Sequence, residues 1–188
     1  MAEQTATTVN GVNVDQLVET IEVMQENPHL AKCKFRAETQ WVSGAQSRTK
    51  IQSFYAAGKE DTSRMQPFLL HGDEPPVLLG ENRAPNAVEA VLHALASCLA
   101  VGFAYNAAAK GIRVESLNFT MEGDLDLHAF LGLSDETRPG YENIKLTYRV
   151  TCDAPREEVV ELCNYVQKTS PVLDIIRNPV PVTVALVD

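Results

Sequence analysis

Hydrophobic positions along the chain follow two different spacings, and the changes between them mark its elements. Val14, Leu17, Val18, Ile21 and Met24 recur every three or four residues, as one helix face does, and Asn27-Pro28 closes that run. From Cys33 the pattern becomes alternation. Cys33, Phe35, Ala37, Thr39 and Trp41 fall on one side, and Lys34, Arg36, Glu38 and Gln40 on the other. Ser43-Gly44 supplies a turn, so residues 33–41 and 47–55 predict a β-hairpin. Residues 65–70 predict a third strand. The Gly- and Pro-containing stretch 71–76 predicts a loop, which 80–83 continues.

A long apolar block follows. Pro85 suits a first helical turn, where its missing N–H is not needed, and Gly111 supplies a left-handed stop. A helix over 85–110 would be about 38 Å long. It is apolar on nearly every side, so something must cover it all round. Its filler is alanine, and Glu89, His93, Ser97 and Asn106 interrupt it, which favours a buried helix over a membrane span. Strands are predicted at 113–122 and 143–152, separated by an irregular excursion over 132–140. Asp153-Ala-Pro155 opens a further helix carrying Val159, Val160, Leu162, Cys163 and Val166, with Glu157 and Glu158 favourable in its first turn. Ser170-Pro171 begins a short helix, and residues 181–187 predict a closing strand. Strand and helix blocks are segregated, so the expected class is α+β in one domain over 1–188, with residues 1–30 as a helical extension.

Composition narrows the function. The chain has 188 residues, 16 Lys+Arg against 25 Asp+Glu, and a net charge of −9, with no basic run. That is a poor match to a phosphate backbone, so no nucleic-acid partner is expected. Residues 1–13 are polar and carry no apolar signal core, so a cytoplasmic protein is expected, with no membrane partner. Cys33, Cys98, Cys152 and Cys163 lack CxxC or zinc spacing, so neither a disulfide framework, a metal site nor a cofactor is expected. His71 and His93 have no spaced partner and read as a polar-loop and a helix-packing histidine. The chemistry then turns on whether any free thiol is reactive.

Two passages bear on that. His71-Gly-Asp-Glu-Pro-Pro-Val-Leu-Leu-Gly-Glu-Asn-Arg-Ala-Pro-Asn-Ala-Val-Glu-Ala-Val-Leu-His-Ala-Leu-Ala-Ser-Cys98 resembles the OsmC/Ohr family, in its OsmC-like branch. Ser170-Pro-Val with Pro181-Val-Thr-Val is similar to that family's C-terminal segment, and residues 35–44 to its start. The resemblance runs from about Cys33 to Leu186. It implies curved antiparallel sheets around two central helices, in an intertwined homodimer whose partner chain covers the long helix. It also implies a thiol that reduces organic hydroperoxides in oxidative stress defence: Cys98 is oxidised to a sulfenic acid, which a second cysteine then converts to a disulfide.

The chain departs from that pattern twice. An arginine from the hairpin activates the family's thiol, and Arg48 is a nearer match than Arg36. The glutamate that holds this arginine would fall on Val88, but Glu89 stands one place later. Nine residues carry a regular helix through about 180°, which turns Glu89 away from Cys98 in the same chain. Glu89 then either serves a site across a dimer interface or favours the helix N-terminus. The second cysteine is replaced by Ser170, and serine forms no disulfide. One expectation is therefore a one-cysteine peroxidase in which Cys98, Arg48 and Glu89 are catalytic and an external thiol is the reductant. Ser170, Val101 and Tyr105 would line the substrate site. The alternative is an inactive relative that binds a small hydrophobic ligand at the dimer interface. Hydrolysis through Ser170 lacks a histidine and acid that can be placed beside it.

Overall fold

The computed structural model describes residues 7–187. In chain order the elements are β1 (Thr8–Val9), β2 (Val12–Asn13), α1 (Val14–Glu26), β3 (Glu38–Ser43), β4 (Gln46–Ile51), β5 (Phe54–Ala56), β6 (Lys59–Asp61) and β7 (Phe68–Gly72). They continue with α2 (Ala87–Ala109), β8 (Val114–Asp124), β9 (Asn143–Cys152), α3 (Arg156–Thr169) and α4 (Pro171–Arg177). Every pairing is antiparallel, and the class is α+β. The described residues form two compact units, one of residues 14–91 and the other of 7–13 with 92–187.

In the unit of residues 14–91, α1 forms as its spacing predicts, and β3, β4 and β7 make a three-stranded sheet in that order. The predicted hairpin is shorter than its alternation. Residues 33–37 contribute only a bridge, Lys34 to Tyr55, and β3 begins at Glu38. The return strand stops at Ile51 because Phe54 opens a second hairpin with β6, turning at Ala57 and Gly58. Both turn residues have positive φ (49° and 79°), as the tight hairpin turn that matches strand twist requires. The alternation continued through this break because both hairpins are extended.

In the other unit, β8 and β9 form a long two-stranded ribbon that lays Leu117, Phe119, Met121, Ile144, Leu146 and Val150 against a helical core. The core is a stripe on α2 (Leu95, Leu99, Phe103 and Ala107) packed with Ile112, Leu162, Val166 and Leu173. Burial of each large side chain there contributes about 1.5–3 kcal/mol. Gly102 allows the close approach, since a Cβ at that position would lie 3.1 Å from Val166 Cγ1. By length and composition α2 could cross a membrane, yet this stripe is core.

The ends of α2 are fixed locally. It begins at Ala87 rather than Pro85 because Asn86 caps it: the Asn86 side chain accepts from the Glu89 N–H (2.8 Å), and the Glu89 carboxylate accepts from the Asn86 N–H (2.9 Å). This reciprocal pair is a capping box. At the far end Gly111 takes φ +73°, its N–H reaching the Ala108 carbonyl and the Ile112 N–H the Ala107 carbonyl. These two bonds are the Schellman pattern. Residues 7–13, read only as polar, fold into a hairpin on Asn10-Gly11, and the Asn10 amide bonds the Ile112 carbonyl and the Val114 N–H, each at 2.9 Å.

One predicted element is absent. Residues 181–187 form no strand among the described residues, and Val182, Val184 and Leu186 are 77%, 90% and 99% exposed. A strand is held by its neighbour, the described residues lay none beside that segment, and Pro179 and Pro181 have no N–H to donate.

Candidate functional site

Cys98 lies on α2 one position before core residue Leu99, so its side chain stands about 100° from the buried stripe and is half-buried. Val101 and Tyr105 follow three and seven residues later, within about 60° of the Cys98 direction on a regular helix. Both are open, at 52% and 48% exposure. A thiol with apolar neighbours is thus presented at the rim of the core.

The polar partner comes from the junction of α3 and α4. Ser170 ends α3 and, in extended backbone geometry, caps α4, with Pro171 in the first turn. Its Oγ accepts from the Leu173 N–H at 3.2 Å, which fixes the hydroxyl. That hydroxyl lies 3.2 Å from Cys98 Sγ while Ser170 is only 5% exposed. Either group can donate across this contact, the Cys98 S–H to the second lone pair of Oγ or the Ser170 O–H to the sulfur, and the latter bond strengthens when the sulfur is a thiolate. The structure therefore joins Cys98 and Ser170 in a direct contact.

The other cysteines have different surroundings. Burial pushes the Cys163 thiol up, toward the neutral form that is a poor nucleophile. Cys152, the last residue of β9, is half-buried against the core, and Cys33 is exposed. All four cysteines are free thiols.

Arg48 and Glu89 belong to the unit of residues 14–91. Arg48 projects from β4 and donates to Gln40 Oε1 at 3.3 Å, with His71 directly opposite on β7. They line a pocket of about 290 Å³ with Gln46, Ser47, Asp73 and Arg83. Glu89 is engaged in the capping box and makes no ion pair with Arg48. The sequence reading missed Asp73. Its buried carboxylate accepts from the backbone N–H groups of Arg83 (3.0 Å), Glu74 (2.9 Å) and Glu81 (3.4 Å). Those N–H bonds, Arg83's first, hold its carboxyl below the usual carboxylate range. An aspartate in front of Glu-Pro-Pro was the available signal, since Asp readily bonds backbone N–H groups in turns.

Comparison with solved structures gives the same fold. An OsmC-like protein from Mycoplasma pneumoniae superposes with a TM-score of 0.58 at 16% identity, covering 78% of this chain and 89% of its own. An OsmC-like protein from Vibrio cholerae gives 0.55 at 12% identity, over 75% and 92% of the two chains. An organic hydroperoxide resistance protein OsmC from Legionella pneumophila gives 0.53 at 19%, over 77% and 89%. No curated protein matches the sequence. The family model described as OsmC-like protein matches residues 80–185, from the loop before α2 to the C-terminal segment, and so takes in Cys98 and Ser170. The chain therefore belongs to the OsmC-like protein family.

Proposed function

We propose that this chain is a one-cysteine, thiol-dependent organic hydroperoxide reductase acting through Cys98. The observation that carries the reading is the 3.2 Å contact between Cys98 Sγ and a buried, fixed Ser170 hydroxyl, in a family that includes proteins named for organic hydroperoxide resistance. The Cys98 thiolate attacks one peroxide oxygen, the O–O bond breaks, and the alkoxide leaves as an alcohol after taking a proton. Cys98 becomes a sulfenic acid. One external thiol condenses with it, releasing water and forming a mixed disulfide, and a second thiol frees Cys98 and carries away the external disulfide. Ser170 bonds the sulfur but cannot resolve it, which is why the reductant must come from outside. Val101 and Tyr105 offer apolar contact to the alkyl group. Arg48 is proposed as the guanidinium that activates the thiol, and Glu89 as the carboxylate that orients it. A homodimer is proposed to cover the open face of α2.

Peroxide consumption tests this directly. Purified protein with dithiothreitol should consume cumene hydroperoxide, and Cys98→Ser should fall to the uncatalysed rate. Equal consumption by the variant would sink the proposal.

A second reading has its own support in the exposure of Val101 and Tyr105: an apolar ligand site with Cys98 as wall. Native mass spectrometry separates the two. A copurified apolar molecule on a protein whose Cys98 takes no dimedone after peroxide favours binding, whereas a dimedone adduct at Cys98 favours catalysis.

A further inference from the structure

The pocket around Arg48 offers donors beyond the single guanidinium that the proposed thiol reaction uses. Arg48 makes no ion pair among the described residues, and its one hydrogen bond is the 3.3 Å contact with neutral Gln40. A guanidinium is a fixed fork of donors that matches a carboxylate in two parallel bonds, and this one is left without that partner. Around it stand further donors. His71 faces Arg48 across the β4–β7 ladder and carries at least one ring N–H whatever its charge. Ser47, next to Arg48, has a hydroxyl with no hydrogen bond to the described residues and also lines the pocket. Arg83 closes another side, its Nε held 2.7 Å from Glu81.

Two features select among anions. The first is Asp73, whose carboxylate sits in the wall, fixed by three backbone N–H groups and held in its charged form. One fixed negative charge beside one unpaired guanidinium tolerates a monoanion better than a dianion. The second is the space. At about 290 Å³ the pocket sits just below the usual range for small-molecule sites, of about 300–1,000 Å³, and is roomier than an inorganic ion needs. Val42 and Ala84 give it apolar wall as well as donors. The net charge of −9 does not forbid an anion here, because exposed charges are largely screened beyond about 8 Å at physiological ionic strength.

We infer that this pocket binds a small organic acid, its single carboxylate paired with Arg48 and its short apolar body against Val42 and Ala84. The inference uses Arg48, which is also proposed to activate the thiol, so the test is run on Cys98→Ser protein with binding as the readout, and its outcome does not depend on peroxide turnover.

Calorimetric titration with sodium phenylacetate at low ionic strength should show one site per chain. The neutral isostere phenylacetamide should bind at least about tenfold more weakly, the loss expected for one charge-assisted pair, and so should inorganic phosphate, which has no apolar body to place against Val42 and Ala84. Arg48→Met should remove the preference for acid over amide, and Arg48→Lys should leave part of it, since charge remains without the fork. Near-UV circular dichroism of both variants establishes that they are folded, and Arg83→Gln provides a second variant on a different loop, expected to weaken phenylacetate by a smaller factor. Absence of phenylacetate binding, equal affinity for acid and amide, equal affinity for phosphate, or unchanged phenylacetate affinity in folded Arg48 variants would each overturn the inference.

Discussion

Ser170 holds two positions at once: it caps α4 through the Leu173 N–H and it meets the Cys98 sulfur. Its substitutions therefore separate structure from chemistry. Ser170→Ala leaves the Leu173 N–H without its acceptor in a buried place, and should cost about 1 kcal/mol in denaturant unfolding, the usual value of a lost N-cap. Ser170→Cys should change chemistry instead. A sulfur in place of an oxygen that is 3.2 Å from Cys98 Sγ needs to approach by only about 1 Å to form a disulfide. One equivalent of hydroperoxide should then oxidise Cys98 to its sulfenic acid, and the introduced thiol should condense with it, giving a disulfide and water. Intact-protein mass spectrometry reads this as the loss of two hydrogens, reversed by dithiothreitol. If that variant accumulates only sulfenic or sulfinic acid, the pair is not poised for resolution.

Tyr148 permits a test by pH in the same core. Its hydroxyl is buried without a hydrogen-bond partner among the described residues, its ring packs on Phe119 at 4.8 Å, and burial, with Cys163 nearby, pushes its pKa up to about 12. The unfolded value is about 10. A folded pKa above the unfolded one means that this contribution to stability is complete below about pH 10 and is lost as pH rises toward 12. Tyr148→Phe removes an unpaired hydroxyl at little change in shape, so stability at pH 7 should be unchanged or raised by a fraction of about 1 kcal/mol. The variant should also lose part of the alkaline fall in Tm between about pH 10 and 12. An alkaline limb identical to wild type would show that another group governs it.

At the scale of elements, the capping box decides what Glu89 does. Asn86→Ala should cost about 1 kcal/mol of stability, because it deprives the Glu89 N–H of its acceptor at the start of α2. Glu89→Gln keeps an oxygen able to accept from the Asn86 N–H while removing the charge. Its Tm should stay within a few degrees of wild type. Peroxide turnover that falls in Glu89→Gln at unchanged Tm supports the proposed catalytic carboxylate, and unchanged turnover leaves Glu89 as a cap alone.

The elements that were legible in the sequence are those whose signal is carried by periodicity or by a breaker. The spacing of Val14 to Met24 marked α1, Gly111 ended α2, Ser170-Pro171 opened α4, and strict alternation marked β9 at its observed bounds, 143–152. The missed hairpins failed for different reasons. Asn10-Gly11 is a strong turn dipeptide, but its two-residue strands are too short for alternation to register. Ala57-Gly58 is a poor one, since alanine seldom takes positive φ. The helix start was misplaced because Pro85 suits a first turn, while the reciprocal bonds of Asn86 and Glu89 favoured the next position. Of the site, Cys98 and Ser170 were legible through family resemblance. Their direct contact was not, because it joins residues 72 apart in sequence.

For the whole molecule, the decisive quantity is the apolar surface that the chain leaves open. Val101 and Tyr105 stand open on α2, Phe35, Trp41 and Phe68 are 60% exposed or more, and the tail presents Val182, Val184 and Leu186 at alternate positions. Single exposed hydrophobics are ordinary, but runs at helical or strand spacing mark surfaces that meet another molecule. The sequence already posed this problem, since a helix apolar on nearly every side needs cover on more than one face. The tail poses it again, with strand alternation and no strand beside it among the described residues. The proposed homodimer would answer both, because a second copy brings an identical apolar helix face and sheet edges with unpaired N–H and C=O groups. Sedimentation velocity should therefore find the chain as a dimer at micromolar concentration. Truncation after Asn178 and, separately, Val101→Arg should each raise the dimer dissociation constant by about tenfold or more, since burying an unpaired cation or losing several apolar contacts costs well over about 1.4 kcal/mol. Dimers held by buried apolar area should also keep their affinity when salt is raised, because screening weakens only charge pairs. A wild-type chain that sediments as a monomer across that range would remove the partner from the proposed site and leave Cys98, Val101 and Tyr105 facing water.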